Sequence, residues 1–164
     1  MAQGTNGAGT KALLMKLGQM HGKKMKVGWF EGAKEDDGTS SAYVAAINEH
    51  GYEEGSIPAR PFMRPTAAEK RGEWVKKYAA LLKKEGPSGV SVALDAMSVV
   101  IAADFKKTIA DLRSPRLANS TIQARIRRGG LGGKKKMPTT ISKPLVDTRM
   151  MLSTLTAVVE GGKK

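Results

Sequence analysis

Apolar residues recur along most of this chain at helical spacing, and only two short stretches favour strands. The segment KALLMKLGQMHG, from Lys11 to Gly22, places its leucines on one face and predicts a short first helix. In KMKVGWF apolar and polar side chains alternate, which predicts a half-buried strand near 24–30. A β-prone stretch near 154–160 predicts the second strand.

The residues between these two strands predict mainly helices. SAYVAAINEHG predicts a helix from Ser41 that ends at Gly51, because glycine is the usual C-cap residue. A T-x-x-E capping box, Thr66 with Glu69, predicts the start of a long helix with one stripe of aromatic and aliphatic residues. This helix should end at Gly86.

A second long helix is expected to follow Ser88 and to stop before Pro115, and the two long helices should pack as a hairpin. Another capping box, Ser120 with Gln123, predicts a very short helix, and Thr148–Leu152 can form a helical turn. Two strands alone are marginal in water, so helices must cover one face. The predicted fold class is therefore α+β, with a small antiparallel sheet packed against several helices.

The length of 164 residues fits one core, which we place at 11–160 as a single α+β domain. Residues 1–10 have no apolar period and should form a flexible tail. Glycines and adjacent lysines predict a flexible basic loop at 129–141.

The amino-acid composition limits the kinds of functional site that the chain can form. The chain has no cysteine and two histidines, so we expect no disulfide, no metal site and no cofactor. It has no apolar run long enough to cross a bilayer and no secretion leader, so we expect no membrane contact and synthesis in the cytoplasm. Its few large residues should anchor a mostly aliphatic core; these are Trp29, Phe62, Trp74 and Phe105.

The net charge of +13 is unevenly distributed. Residues 1–60 carry seven basic and seven acidic side chains, whereas Arg113–Arg149 contains ten basic residues and only Asp147 as an acid. The second region is suited either to binding a negatively charged partner or to remaining exposed to solvent.

Catalytic motifs are lacking. GGLGGKKK has neither the glycine spacing nor the Ser or Thr of a phosphate-binding loop. His21 and His50 lie at predicted helix ends without a partner that the sequence can place nearby, and Asp36–Asp37 is most simply a turn. We expect no enzyme activity.

The basic run from Arg125 to Lys136 offers a contact for DNA or for an acidic partner. It has no aromatic residue on which bases could stack, so a solvated loop and an acidic protein partner both remain open. The candidate residues are Arg125, Arg127, Arg128, Lys134, Lys135 and Lys136.

The most specific stretch is IPARPFMRPT, residues 57–66, which we call the Pro-Arg segment. Its three prolines fix the backbone and lower the entropy lost on docking. Phe62 can fill an apolar pocket, while Arg60 and Arg64 can pair with carboxylates or carbonyls, including those of the chain's own helices. Two interpretations stay open: a connector packed on its own domain, and a subunit or partner interface formed by these three residues.

Two patches suggest a family. Ala42–Trp74, AYVAAINEHGYEEGSIPARPFMRPTAAEKRGEW, resembles the central motif of the tail-completion or neck proteins of long-tailed phages, also described as minor tail components. Lys143–Val159, KPLVDTRMMLSTLTAVV, looks like the closing P-L-x-D-T-G segment and final strand of that family, and VGWF matches its preceding strand. His50 stands where the family usually has Phe, and Arg149 where it usually has Gly.

The resemblance implies a structural virion protein of the head–tail neck. Such proteins are α+β, are not enzymes, and form a ring, expected to be a hexamer, that joins the head connector to the tail tube. The implied partners are copies of the chain, the neighbouring connector and tail-tube or tail-terminator proteins, and non-specific genomic DNA. The expected location is the virion neck, after synthesis in the host cytoplasm. The alternative is a basic nucleic-acid-binding protein.

Overall fold

The computed structural model describes residues 11, 15, 23–86, 89–128, 144–145 and 150–161. Within these residues the chain is an α+β protein with five helices and a two-stranded antiparallel sheet, as the sequence predicts. In chain order the elements are β1 (Lys24–Gly28), α1 (Ser41–His50), α2 (Met63–Glu85), α3 (Val90–Asp111), α4 (Asn119–Arg128), α5 (Met150–Thr154) and β2 (Thr156–Glu160).

Strand β1 pairs with β2, and both fall inside the predicted ranges. Each is five residues long, with side chains alternating between more and less exposed positions. Lys26 and Glu160 form an ion pair of 2.7 Å across the two strands, but both side chains are about half exposed. Such a pair contributes little to stability, so packing against helices must support the sheet.

Helix α3 supplies six of the twelve buried apolar side chains of the described residues, because its apolar residues recur at spacings of three and four along one face. Its buried apolar side chains are Val90, Ala93, Met97, Ile101, Phe105 and Ile109. The spacing of apolar residues in the sequence predicts the last four of these, and burial confirms them. It also places Leu94 and Leu112 on this face, but both are only half-buried.

Helices α1 and α2 pack together as a hairpin. The two long helices, α2 and α3, are joined by a hydrogen bond of 2.7 Å between the hydroxyls of Thr66 and Thr108, and the hairpin predicted for them stays a prediction. At the end of α2, Gly86 has a φ of 70° and donates its N–H to the carbonyl of Leu82. The predicted apolar stripe of α2 is only partly covered: Trp74 and Tyr78 are half-buried, and Val75 is 61% exposed.

The predicted starts of α2 and α4 are wrong. Helix α2 begins at Met63, so Thr66, the one buried residue of this helix, lies inside it. The Thr66 hydroxyl donates to the carbonyl of Phe62 at 2.6 Å instead of capping the helix. Helix α4 begins at Asn119, one residue before the predicted capping serine, and its ten residues make it longer than expected.

Contacts group the chain into two compact units. One unit contains most of the sheet, the C-terminal part of α2 and the N-terminal part of α3. The other contains α1, the beginning of α2, the end of α3, α4 and α5, and it holds the whole Pro-Arg segment. The tail predicted at 1–10 and the loop predicted at 129–141 lie outside the described residues, as does all of the first predicted helix except Lys11 and Met15, which are helical.

Neither a membrane span nor a metal cluster occurs among the described residues. No helix there has the length and apolar character that a membrane span requires. The same residues bring together no group of three or more His, Cys, Asp or Glu that could hold a metal ion.

Candidate docking site

The Pro-Arg segment links α1 to α2, and its last residues form the first turn of α2. Pro65 is the third residue of the helix. A proline is tolerated there because the N–H groups of a first turn have no partner within the helix. The helix therefore begins before Thr66, and the Pro-Arg segment contributes its first four residues, Met63–Thr66.

Glu49 caps α2 from the end of α1. Its buried carboxylate accepts hydrogen bonds from the backbone N–H groups of Phe62 at 2.6 Å, Met63 at 2.9 Å and Arg64 at 3.1 Å. These are the donors that a helix N-terminus leaves unsatisfied, and a negative charge is favoured there by the helix dipole. Glu49 thus takes the role that the sequence assigns to Thr66 and Glu69.

Arg64 closes the same junction from the other side. Its Nε donates to Glu49 Oε1 at 3.0 Å, and its terminal nitrogen donates to the Glu49 backbone carbonyl at 3.0 Å. Burial raises the pKa of the Glu49 carboxyl, but the backbone N–H groups and Arg64 outweigh that effect and leave the pKa below its ordinary value. The carboxylate therefore stays charged at neutral pH.

Gly51 lets the chain leave α1 close to the Pro-Arg segment. Its φ of 82° and ψ of 168° lie in a region that essentially only glycine occupies, and its N–H caps the carbonyl of Ile47. A side chain here would bring Cβ within 3.0 Å of the Ala59 nitrogen. The C-cap predicted at Gly51 is confirmed.

Arg60 points inward and holds a second loop. Its Nε donates to the Pro115 carbonyl at 3.0 Å and its terminal nitrogen donates to the Arg116 carbonyl at 3.3 Å. The residue is only 5% exposed. Burial lowers the pKa of Arg60, and the nearby charge of Arg125 lowers it further.

Phe62 is fully buried in the compact unit that holds the Pro-Arg segment. Its ring meets Trp29 edge-to-face, with 5.8 Å between centroids and 86° between planes. The Trp29 indole N–H donates to the Met151 carbonyl at 3.0 Å, and α1 contacts α5. Phe62 and Trp29 therefore join the start of α2 to the C-terminal helix.

An open groove of about 350 Å³ lies against one face of α1. Its lining residues are Trp29, Ala42, Ala45, Ala46, Glu49, His50, Phe62, Met63 and Arg64. The small alanines leave room for another chain, and the Arg64 side chain is 63% exposed at the rim. Of the three interface candidates in the Pro-Arg segment, only Arg64 presents its charged group to solvent.

The basic candidates separate into different environments. Arg125 is buried and donates to the Pro144 carbonyl at 3.2 Å, so its guanidinium serves the fold. Arg127 is exposed, with a weak bond of 3.4 Å to the Gln123 carbonyl. Arg128 ends α4, and the side chain of Arg128 and all of Lys134, Lys135 and Lys136 lie outside the described residues.

Glu49 is the functional residue that sequence reasoning missed. A signal for it exists, because Arg60, Pro61 and Phe62 offer no side-chain acceptor that could cap a helix starting at Met63. A helix start of this kind needs an acceptor from elsewhere in the chain, and an acidic residue near the end of the preceding helix is well placed to provide it.

Comparisons of the chain with family models, with curated proteins and with solved structures found no match. The resemblance to phage neck proteins consequently stays a prediction.

Proposed function

We propose that this chain is a structural protein of a phage neck, which forms a ring between the head connector and the tail tube. In that role it completes the tail and joins it to the head, and it performs no catalysis. Its partners are further copies of itself and the proteins of the adjoining rings, with genomic DNA passing through the channel.

The observation that carries the proposal is the convergence of three separate sequence patches. VGWF contributes Trp29, the central motif contributes α1 and Phe62, and the closing patch contributes Met151. These residues are far apart in sequence and meet in one compact unit. The three patches that carry the resemblance therefore pack together in one unit, which supports the proposal.

The rigidity of the Pro-Arg segment also supports a docking role. Glu49 fixes its C-terminal end, while Arg60 fixes its centre to the loop at Pro115 and Arg116. A segment that is already ordered loses little entropy when it binds. A ring subunit needs such preformed surfaces more than it needs an enclosed pocket.

Electron microscopy of purified particles that carry a small tag on this chain tests the proposal. We expect density for the tag at the neck, between the head and the tail. Particles without the chain should accumulate as separate heads and tails. A tag that is absent from particles, or placed elsewhere on them, would refute the proposed function.

The competing nucleic-acid-binding role can be tested on the isolated protein. Replacing Lys134, Lys135 and Lys136 with alanine should reduce weak, sequence-independent DNA binding and its dependence on salt, because fewer counterions are released. Strong preference for one DNA sequence would favour the alternative. Equal DNA binding by the wild type and the alanine variant would show that these lysines do not contact DNA, in the neck role or in the nucleic-acid-binding role.

A further inference from the structure

Charge is segregated within the unit that holds the groove. Residues 28–61 contain seven carboxylates against two basic side chains, Lys34 and Arg60, and Arg60 is buried. Residues 113–128 contain five arginines and no carboxylate. One part of the unit is thus strongly acidic and another strongly basic.

The acidic part is presented by two turns, one at each end of α1. Asp36 and Asp37 lie in a turn closed by an antiparallel bridge between Lys34 and Ser40. The second turn carries two further exposed carboxylates, and its bridge joins Tyr52 to Ile57. We call these the acidic turns; the second pair of carboxylates is Glu53 and Glu54.

Both acidic turns have a defined shape. Asp37 accepts a hydrogen bond from the Thr39 N–H at 2.9 Å, and Tyr52 and Ile57 exchange two backbone hydrogen bonds of 2.9 Å across the second turn. None of the ion pairs found among the described residues neutralises any of the four carboxylates. Between the turns runs the groove side of α1, which is about 15 Å long for ten residues.

The basic part is exposed on the link between α3 and α4 and on α4 itself. Its exposed members are Arg113, Arg116 and Arg127, which we call the arginine face. Hydrogen bonds from Arg60 to the carbonyls of Pro115 and Arg116 fix the backbone of this link. Arg113 and Arg116 are therefore carried on a link that Arg60 holds in place, and Arg127 is carried on helix α4.

We propose that the acidic turns and the groove between them receive the arginine face of a second copy of this chain. The charges are complementary in sign, and the apolar groove supplies surface that is buried once water leaves it. Because the two surfaces differ, each copy can bind one neighbour through its groove and another through its arginine face. Such head-to-tail contacts close into a ring when the rotation between copies permits it.

This inference rests on the proposed function, since it assigns the surfaces that would join copies in the ring. DNA is a poor partner for the acidic turns, because their carboxylates repel phosphate. The contact should be weak and sensitive to salt, because exposed ion pairs contribute little individually and are screened.

Reciprocal charge reversal tests the pairing in the full-length chain. One variant changes Asp36, Glu53 and Glu54 to lysine and keeps Asp37, whose bond to Thr39 shapes its turn. The other changes Arg113, Arg116 and Arg127 to glutamate. We expect wild-type protein at millimolar concentration and low salt to self-associate, each variant alone to associate at least about tenfold more weakly, and an equimolar mixture to recover association.

Sedimentation velocity measures the association, and thermal melting checks that each variant is folded. The control changes Lys76, Lys83 and Lys84 to glutamate, which alters charge by the same amount on exposed residues of α2. This control should associate like the wild type. A wild type that stays monomeric under these conditions, or a mixture of the two variants that fails to recover association, overturns the inference.

The outcomes separate this inference from the proposed function. A tagged chain found at the neck, combined with no effect of charge reversal on self-association, refutes the pairing and leaves the neck role intact. If the mixture of variants recovers self-association but the tagged chain is absent from the neck, the pairing is supported and the proposed neck function is refuted. If the wild type stays monomeric and the variant with Arg113, Arg116 and Arg127 changed to glutamate loses DNA binding, the arginine face is assigned to nucleic acid.

Discussion

At the scale of single residues, one carboxylate connects two helix ends. Glu49 belongs to the last turn of α1, yet it binds three N–H groups around the start of α2. Its removal leaves those donors without a protein acceptor, which costs more than the loss of an ordinary exposed hydrogen bond.

Replacing Glu49 with glutamine should lower the free energy of unfolding by about 1.5 to 3 kcal/mol at neutral pH, because charged hydrogen bonds are lost. The wild-type pKa is lowered from 4.5, so the contribution of Glu49 is present above that value. It is lost as the pH falls through the lower pKa of the folded state. Urea titrations across acidic pH should show this decline in the wild type and a shallower decline in Glu49→Gln.

Glu69→Gln is the matched control, since Glu69 is exposed and lies in the capping box that the sequence predicts. We expect its stability to change by less than about 0.5 kcal/mol, as is usual for surface substitutions. If Glu69→Gln were the more damaging change, the capping assigned to Glu49 would be wrong.

Replacing each of the three candidate residues of the Pro-Arg segment with alanine should lower the free energy of unfolding by clearly different amounts. Phe62→Ala should cost about 3 to 5 kcal/mol, since it empties a fully buried site. Arg60→Ala should cost about 2 to 3 kcal/mol, because two carbonyls lose their donor. Arg64→Ala should cost about 1 kcal/mol, because its side chain is largely exposed.

Denaturant unfolding gives this ranking, and particle assembly tests the interface. An Arg64→Ala protein that folds normally but leaves heads and tails unjoined would support an interface at that residue. A larger loss of stability for Arg64→Ala than for Arg60→Ala would contradict the order. Normal assembly by both arginine variants would reduce the segment to a connector.

At the scale of elements, α2 is long but weakly packed over its C-terminal part. Its exposed side carries Lys70, Glu73 and Lys77, whose ion pairs at 3.3 and 2.7 Å are open to solvent and contribute little to stability. The stability of this part of α2 therefore depends more on the helix propensity of its residues than that of α3 does, because the buried face of α3 holds that helix in place.

Gly72 lies inside α2 at an exposed position, where an added Cβ would meet nothing within 4 Å. Gly72→Ala should raise the free energy of unfolding by about 0.5 to 1 kcal/mol, because glycine loses more backbone entropy in a helix. Chemical denaturation measures the gain. Gly51→Ala should act in the opposite direction, since it adds a close contact to a positive φ.

Gly38→Ala serves as the control for that contrast. Gly38 also has a positive φ, but a Cβ there meets no neighbour within 4 Å. It should therefore destabilise less than Gly51→Ala. Equal losses at the two positions would mean that backbone strain alone, and not the approach to Ala59, decides the cost.

The sequence predicts the elements better than it predicts their ends. The spacing of Met97, Ile101, Phe105 and Ile109 identifies α3 because helix and core share one period. The start of α2 depends instead on Glu49, which lies 14 positions before Met63 and outside any local pattern. The same limit applies to Arg125, whose burial depends on the Pro144 carbonyl and not on its basic neighbours.

At the scale of the whole molecule, stable assembly depends on the apolar surface that copies can bury against each other. Among the described residues, seven large apolar side chains are exposed, and they include Val75 on α2 and Val92 and Val99 on α3. Most specific contacts bury a much larger complementary area. We therefore expect the isolated chain to depend on a neighbouring ring for stable assembly.

Light scattering at micromolar concentration should find a monomer or a weak oligomer, and adding a preassembled partner ring should recruit several copies. Raising the salt concentration should weaken recruitment if charged surfaces dominate. A control ring from an unrelated assembly should recruit none. A stable hexamer of the chain alone would contradict this expectation.

The remote capping of α2 also affects how the protein opens. The amide hydrogens of Phe62, Met63 and Arg64 are sheltered by a side chain of α1, not by a carbonyl of their own helix. Any fluctuation that unwinds the last turn of α1 therefore releases them together, and they should exchange with solvent at the rate of that turn. In hydrogen exchange the start of α2 would then belong to the same cooperative unit as the end of α1, so binding that quiets one would slow exchange in the other.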